Sequence, residues 1–144
     1  MDALADGPLV VGHGDWRVEH LRFDGGALSA VYDWDSLAVA PAAVFAGAAA
    51  HQFTADWSVP GHVCAPAFAE SMAFLDDFAE ARAFSGRERQ VAHAAFVASL
   101  AYSARCANSD RLTACGTRPA ADWAPDGDGL AVLRRHGAEL LCAT

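Results

Sequence analysis

The sequence predicts one α+β domain, dominated by helices, with a small β-hairpin near its N-terminal end. The chain has 144 residues, of which 53% are hydrophobic and 19% charged. This length and composition suit a single globular domain and exclude an intrinsically disordered chain. Two short strand-like runs flank the turn Asp24-Gly25-Gly26, whereas the signals after Pro41 are helical.

The β-rich start has three strand-like segments. Residues 8–12 form a short apolar run, and residues 20–23 and 27–32 are joined through Asp-Gly-Gly. Glycine supplies the positive φ that tight hairpin turns require, so the sequence predicts a hairpin between the last two runs. A hairpin brings its ends together, and the flanking acidic residues Asp15 and Asp33 are therefore expected to lie near each other.

The remainder is predicted to be helical. Pro41 suits a first helical turn and precedes a mostly apolar helix over 42–53, which should be buried on most sides. A loop is predicted over 54–66, because it contains two prolines and a glycine. An amphipathic helix follows over 67–84, with apolar residues near helical spacing.

A capping box opens the next helix. Ser85 and Glu88 have the spacing at which each side chain can satisfy the other's backbone amide. The helix is expected to run to about Ala107, followed by a loop over 108–128 and a last helix through Leu141. The residues expected to face inward are Val91, Ala94, Ala95, Ala98, Leu100, Ala101 and Tyr102.

Net charge and composition restrict which classes of binding partner, and which cellular compartment, are expected for this protein. The net charge of −8 argues against nucleic-acid binding through a basic face. No apolar run is long enough to span a bilayer, so no membrane association is expected. The acidic N-terminal segment is unlike a secretory signal, and the cysteines form no CxxC pair. These features predict a cytoplasmic protein whose four cysteines (64, 106, 115 and 142) are reduced.

The most informative residues flank the hairpin. His13-Gly14-Asp15 precedes it, and Tyr32-Asp33-Trp34-Asp35 follows it. This arrangement resembles the core of aminoglycoside phosphotransferases and, more broadly, of choline-kinase-like and protein-kinase-like enzymes. The resemblance is detailed over residues 9–36, the family's catalytic loop and hairpin, and looser over the helical part, 37–144. It implies that residues 1–144 form a single, partial kinase-like C-terminal lobe.

The resemblance also implies a reaction, in which the γ-phosphate of ATP or GTP is transferred to a hydroxyl of a small molecule. Asp15 would accept the proton of that hydroxyl, Asp33 would bind Mg²⁺ at the nucleotide phosphates, and His13 would orient the catalytic loop. These residue types suit phosphoryl transfer, which depends on a positioned hydroxyl and on neutralised phosphate charge. Magnesium prefers oxygen ligands such as carboxylates.

The chain departs from the family pattern at several positions. His20 stands where the family has an asparagine, and it could ligate a softer metal such as Mn²⁺, contact a phosphate or leave one metal site weak. Asp35 is a further candidate metal ligand, although an N-cap is the favoured interpretation. The segment 40–46 lacks the aspartate that the family has at the next helix.

A further departure concerns the nucleotide. All ten basic residues are arginines, so the family's phosphate-binding lysine is absent from this chain. About twelve residues precede His13, too few for the family's N-terminal lobe. Catalysis by this chain alone is therefore not expected.

Two other functions remain open. The chain could be an inactive lobe that serves as a binding or assembly module, exposing apolar surface to a second copy or a partner chain. It could also be a metal-dependent hydrolase built on His13, Asp15, His20 and Asp33.

Each candidate residue also has a purely structural interpretation. Asp15 and Asp33 could be turn or cap residues. Trp16 and Trp34 are expected to pack the loop, and the remaining histidines (51, 62, 93 and 136) are expected to be structural. The acidic residues Asp76, Asp77 and Glu80 could bind a cationic substrate, but a solvated helix face is favoured.

Overall fold

The computed structural model describes residues 7–59, 62–64, 66–114, 132–136 and 138. It confirms an α+β fold that is mostly helical. The elements are, in chain order, β1 (Leu9–His13), β2 (Leu21–Asp24), β3 (Ala27–Val31), β4 (Leu37–Pro41), α1 (Ala42–Gln52), β5 (Asp56–Val59), β6 (His62–Cys64), α2 (Phe68–Ala81) and α3 (Gly86–Ala114). Single 3-10 turns lie at Val18–His20 and Trp34–Ser36.

The first four strands form two nested antiparallel pairs. The predicted hairpin is confirmed, because β2 pairs with β3 and the turn residues Gly25 and Gly26 have φ values of 55° and 85°. Around it, β1 pairs with β4, and His13 lies opposite Leu37. The sequence did not predict β4, since its apolar residues precede a helix directly and its partner strand is distant in the chain. This outer pair holds together the two segments that flank the hairpin.

The core lies where α1 packs against α3. It consists mainly of small and aliphatic side chains: Ala43, Ala46, Ala50, Leu75, Val91, Ala92, Phe96 and Leu100. Gly47 allows the close approach of the two helices, because a Cβ atom there would lie 2.0 Å from the carbonyl oxygen of Ala92. Helix α1 is thus buried on several sides, as its apolar sequence predicts.

The helices α2 and α3 differ from the prediction in length. Helix α2 ends at Ala81, whereas α3 continues past Ala107 to Ala114. No glycine or proline occurs between Gly86 and Gly116, so nothing in the sequence terminates α3 earlier. Residues 132–136 and residue 138 are helical, and the rest of the loop and last helix predicted after Ala114 lies outside the described residues.

The inward face of α3 agrees with the prediction only in part. Val91, Ala95 and Leu100 are buried as predicted, but the rest of the face is rotated. Ala98, Ala101 and Tyr102 are exposed, whereas Ala92, Phe96 and Ala104 are buried. The reason is the close contact of α3 with α1, which selects the side of α3 that carries Ala92.

The segment predicted as a loop over 54–66 contains the antiparallel pair β5–β6. Pro60 and Gly61, which suggested a loop, lie between the two strands in the sequence. The prediction of a structureless loop was therefore wrong.

The capping box at the start of α3 is confirmed. The Glu88 amide donates to Ser85 Oγ at 3.2 Å, and the Ser85 amide donates to Glu88 Oε2 at 2.9 Å. The hydrogen bonds from Ser85 lower the pKa of the Glu88 carboxyl. Among the described residues, no helix combines the length and apolar character that a membrane crossing requires.

Candidate functional site

Two segments meet at the base of the hairpin, one after β1 and one after β3. The Gly14 amide donates to the Ser36 carbonyl at 2.8 Å and joins these segments directly. One ligand atom from each of Asp15, His20 and Asp33 lies within 4.8 Å of the other two. The prediction that Asp15 and Asp33 lie close together is therefore confirmed.

His13 links the backbones of both segments. Its Nδ1 accepts a hydrogen bond from the Asp15 amide at 3.2 Å, and its Nε2 lies 2.8 Å from the Tyr32 carbonyl oxygen. Because Nδ1 is an acceptor and the carbonyl needs a donor, the imidazole carries its proton on Nε2. His13 is thus placed to orient the loop. The rings of Trp16 and Trp34 pack edge-on against the His13 ring, with centroid-to-centroid distances of 5.8 and 6.0 Å.

His20 faces both carboxylates. Its Nδ1 donates to the Asp15 carbonyl oxygen at 2.9 Å and lies 3.9 Å from Asp15 Oδ2 and 3.8 Å from Asp33 Oδ2. Since the proton on Nδ1 points to a carbonyl, Nε2 of the neutral ring retains the free lone pair. His20 therefore supports the loop backbone through Nδ1, the nitrogen that lies near both carboxylates, and its Nε2 is the nitrogen with a lone pair for a metal ion.

Asp33 has an unusual backbone conformation. Its φ of 64° and ψ of 45° lie in the left-handed region, and among the described residues it alone has a positive φ without being a glycine. This conformation costs a residue with a side chain roughly 1–2 kcal/mol, although aspartate tolerates it better than most. Backbone strain of this kind concentrates at functional sites.

Asp35 lies outside the cluster of Asp15, His20 and Asp33. It is exposed and lies inside the 3-10 turn Trp34–Ser36, whose N-cap position belongs to Asp33. The interpretation of Asp35 as an N-cap was therefore wrong, and its metal-binding role stays a prediction.

Three further residues contribute contacts at the loop, and the sequence motifs did not point to them. Arg17 forms an ion pair with the Asp15 carboxylate, and its guanidinium lies 4.7 Å above the ring of Trp57 on β5. Gln52, at the end of α1, makes two hydrogen bonds to the loop backbone. Arg17 could have been noticed from its position two residues after Asp15, whereas Gln52 and Trp57 carry no local signal.

Other candidates lie away from the site. His51 is buried, and its Nδ1 is hydrogen-bonded to Ser99 Oγ at 2.9 Å. Burial lowers the pKa of His51 to about 4. His136 stacks on Phe68, and Asp76 pairs with Arg89 on an exposed helix face. Cys106 is free, and the side chains of the other three cysteines and of His62 lie outside the described residues.

The fold and the site together define a class. A His-Gly-Asp loop and a second aspartate, joined by a hairpin and set on a helical body, are consistent with a kinase-like fragment. A family model for the phosphotransferase enzyme family (APH) matches residues 1–92, more than half of the chain. The chain therefore belongs to the phosphotransferase enzyme family, as its motifs indicate. No curated protein and no solved structure matches it significantly.

Proposed function

We propose that this protein takes part in transferring the γ-phosphate of ATP or GTP to a hydroxyl group of a small molecule. The observation that carries the proposal is the convergence of Asp15, His20 and Asp33 at the base of the hairpin. In this proposal Asp15 accepts the proton of the substrate hydroxyl, and His13 holds the loop on which Asp15 lies. The family supports the reaction class, and the roles are our assignment.

The donor set fits a divalent cation. Asp33 and Asp15 offer carboxylate oxygens and His20 an imidazole nitrogen, so Asp33 and His20 would hold the ion, with Asp15 beside them. Oxygen donors suit Mg²⁺, whereas the imidazole favours Mn²⁺. When bound, the ion neutralises phosphate charge. Asp35 is not needed for this set.

The nucleotide phosphates need further cationic contacts. The chain has no lysine, so these contacts would come from arginine or from another polypeptide. Arg17 is engaged by Asp15 in this structure. We therefore expect nucleotide binding by this chain to depend strongly on the metal, and turnover by this chain alone to be weak or absent.

Thermal unfolding with nucleotide tests the proposal. A ligand at 100 times its Kd stabilises the folded state by about 2.7 kcal/mol, so millimolar ATP or GTP with Mg²⁺ or Mn²⁺ should raise the Tm. Asp33→Ala should abolish the shift, whereas Asp15→Ala should keep it and remove any turnover. Asp77→Ala, on an exposed face of α2, is the matched control and should behave as wild type. If no nucleotide–metal pair moves the wild-type Tm, the proposal is wrong for this chain.

A second candidate function is assembly, and one face of the β1–β4 pair favours it. Leu9, Val11, Leu37 and Val39 are 66, 69, 47 and 65% exposed. The other face packs on α1, where the Phe45 ring lies 2.7 Å from the position of a Cβ on Gly12. Contiguous apolar surface of this kind marks interaction sites.

The occupant we favour for this exposed sheet face is a second copy of the chain. The four residues carry no charge, whereas the chain as a whole carries −8, so pairing two such faces keeps like charges apart. An apolar face is also complementary to itself, as a two-fold interface requires. Sedimentation equilibrium at micromolar concentration should show a dimer, and a clean monomer would exclude this function.

A further inference from the structure

We propose that Gln52, the last residue of α1, is the positioning residue that fixes the backbone of Asp15 for the reaction. The inference rests on the proposed function, because it assigns a role relative to Asp15. It concerns a residue 36 to 38 positions away from the loop that it contacts.

The side-chain amide of Gln52 bridges the two peptide groups on either side of Asp15. Its Oε1 accepts from the Trp16 amide at 3.1 Å, and its Nε2 donates to the Gly14 carbonyl at 3.2 Å. The Gly14 carbonyl belongs to the peptide bond before Asp15, and the Trp16 amide belongs to the bond after it. One planar side chain therefore restrains the rotation of both peptide groups that set the direction of the Asp15 side chain.

The orientation of this amide is determined by its partners. A backbone N–H can only donate and a carbonyl oxygen can only accept, so a flipped Gln52 amide would lose both hydrogen bonds. Neither a carboxylate nor an apolar side chain of the same length can form both the hydrogen bond to the Trp16 amide and the one to the Gly14 carbonyl. The pair of contacts thus selects glutamine at this position.

Gln52 is itself held by rigid neighbours. Trp57 Nε1 donates to the Gln52 carbonyl at 2.7 Å, and the Ala55 amide donates to the His51 carbonyl at 3.1 Å. His51 is buried and hydrogen-bonded to Ser99 on α3. The end of α1 is therefore fixed to the helical core, and Gln52 transmits that fixed position to the loop.

The other end of α1 does not offer such a contact. Its first turn contains no acidic residue, and Pro41 at the N-cap position makes no side-chain hydrogen bond. Among the described residues of α1, Gln52 is thus the one whose side chain is hydrogen-bonded to the loop around Asp15.

A misplaced reacting group can cost about 100-fold in rate, so the loss of this contact should affect the site more than the fold.

Three variants test the role of Gln52. Gln52→Met keeps the length and removes both hydrogen bonds, and Gln52→Glu keeps the acceptor for Trp16 but loses the donor to Gly14. Gln90→Met, on an exposed face of α3, is the matched control. The measurements are amide hydrogen exchange of Trp16, the Kd for Mn²⁺, and kcat and KM wherever the wild type turns over.

We expect Gln52→Met to accelerate the exchange of Trp16 at least tenfold. It should also weaken Mn²⁺ binding by about tenfold, because the Asp15 carbonyl that Gln52 holds in place accepts a hydrogen bond from His20, one of the proposed ligands. Where turnover is measurable, kcat at saturating Mn²⁺ should fall by at least tenfold with the KM for nucleotide unchanged. The Trp16 amide of Gln52→Glu should exchange more slowly than that of Gln52→Met but faster than that of wild type. Gln90→Met should match wild type in every measurement.

Two results would overturn the inference. Unchanged exchange of Trp16 in Gln52→Met would mean that the clamp on the loop does not exist. Faster exchange with Mn²⁺ affinity and kcat both unchanged would mean that Gln52 stabilises the loop without positioning Asp15. Failure of the proposed function appears separately, in wild-type protein, as the absence of a nucleotide-dependent Tm shift.

Discussion

At the residue scale, Asp33 combines a candidate ligand with a left-handed backbone. Glycine adopts φ 64° without strain, so Asp33→Gly relieves about 1–2 kcal/mol, partly offset by the greater freedom of glycine in the unfolded chain. We expect a net gain of roughly 0.5–1 kcal/mol in unfolding free energy, together with loss of metal binding. Urea unfolding and Mn²⁺ titration measure the two effects.

The hairpin offers a control for this change. Asp24 ends β2 and does not have a positive φ, so Asp24→Gly should destabilise the protein by about 0.5–1 kcal/mol. If both glycine variants destabilise equally, the backbone at Asp33 carries no strain.

His51 should make stability depend on pH. Its folded-state pKa, lowered from 6.5 to about 4 by burial, lies below that of the unfolded chain. Its Nε2 has no hydrogen-bond partner within the described part of the chain, so nothing there accepts the second N–H of a charged ring. Between pH 6.5 and 4 the unfolded state binds the proton and the folded state does not, and up to about 3 kcal/mol of stability is lost as pH falls.

His51→Leu tests this dependence. The variant lacks the titrating group, so its unfolding free energy should fall less between pH 7 and 4.5 than that of wild type. His93, whose pKa burial also lowers, titrates in both proteins and cancels in the comparison. Parallel pH profiles for the two proteins would show that His51 does not contribute.

Local chemistry explains which residues of the site could be predicted. His13, Asp15 and Asp33 lie in contiguous motifs around a turn whose glycines are recognisable, so their proximity follows from the hairpin. Gln52 and Trp57 reach the loop through tertiary packing, and nothing in their neighbourhood along the chain marks them.

At the element scale, the contact between α1 and α3 depends on Gly47. A methyl group there would meet the Ala92 carbonyl oxygen and the Ala95 Cβ, at 2.0 and 2.8 Å, so the helices must move apart. Overpacking of this kind costs typically about 1–3 kcal/mol, and we expect Gly47→Ala to reach the upper end in urea unfolding.

Gly86→Ala is the matched control for this contact. Nothing lies within 4 Å of a Cβ at Gly86, in the first turn of α3, so the variant should be neutral or more stable. If both variants were destabilised equally, the cause would be the replacement of glycine in a helix and not the contact between α1 and α3.

The elements show the same division between local and distant signals. The capping box of Ser85 and Glu88 and the turn at Gly25 are local, and both were predicted. The strands β4 and β5–β6 owe their conformation to pairing, and the rotated face of α3 owes its burial to α1. Those features require knowledge of the partner, which no local pattern supplies.

At the scale of the whole molecule, the exposed sheet face of Leu9, Val11, Leu37 and Val39 predicts self-association. Val11→Asp should place two like charges in a two-fold interface and shift the chain to monomer in sedimentation equilibrium. Tyr102→Asp, at an exposed apolar residue on α3, should leave the dimer intact. Dissociation by both variants would point to a general effect of added charge.

The pairing of β1 with β4 also has a consequence for how the chain can vary in length. The pairing of His13 with Leu37 closes a segment of chain that contains the hairpin and the cluster of Asp15, His20 and Asp33. The entropy of closing such a segment grows only logarithmically, by about 0.6 kcal/mol for each doubling of its length. Around Gly25 and Gly26 nothing lies within 4 Å of an added Cβ. Insertions at this turn are therefore cheap, and a reporter or a substrate-gripping segment can be grafted there while the base of the hairpin keeps Asp15 and Asp33 together.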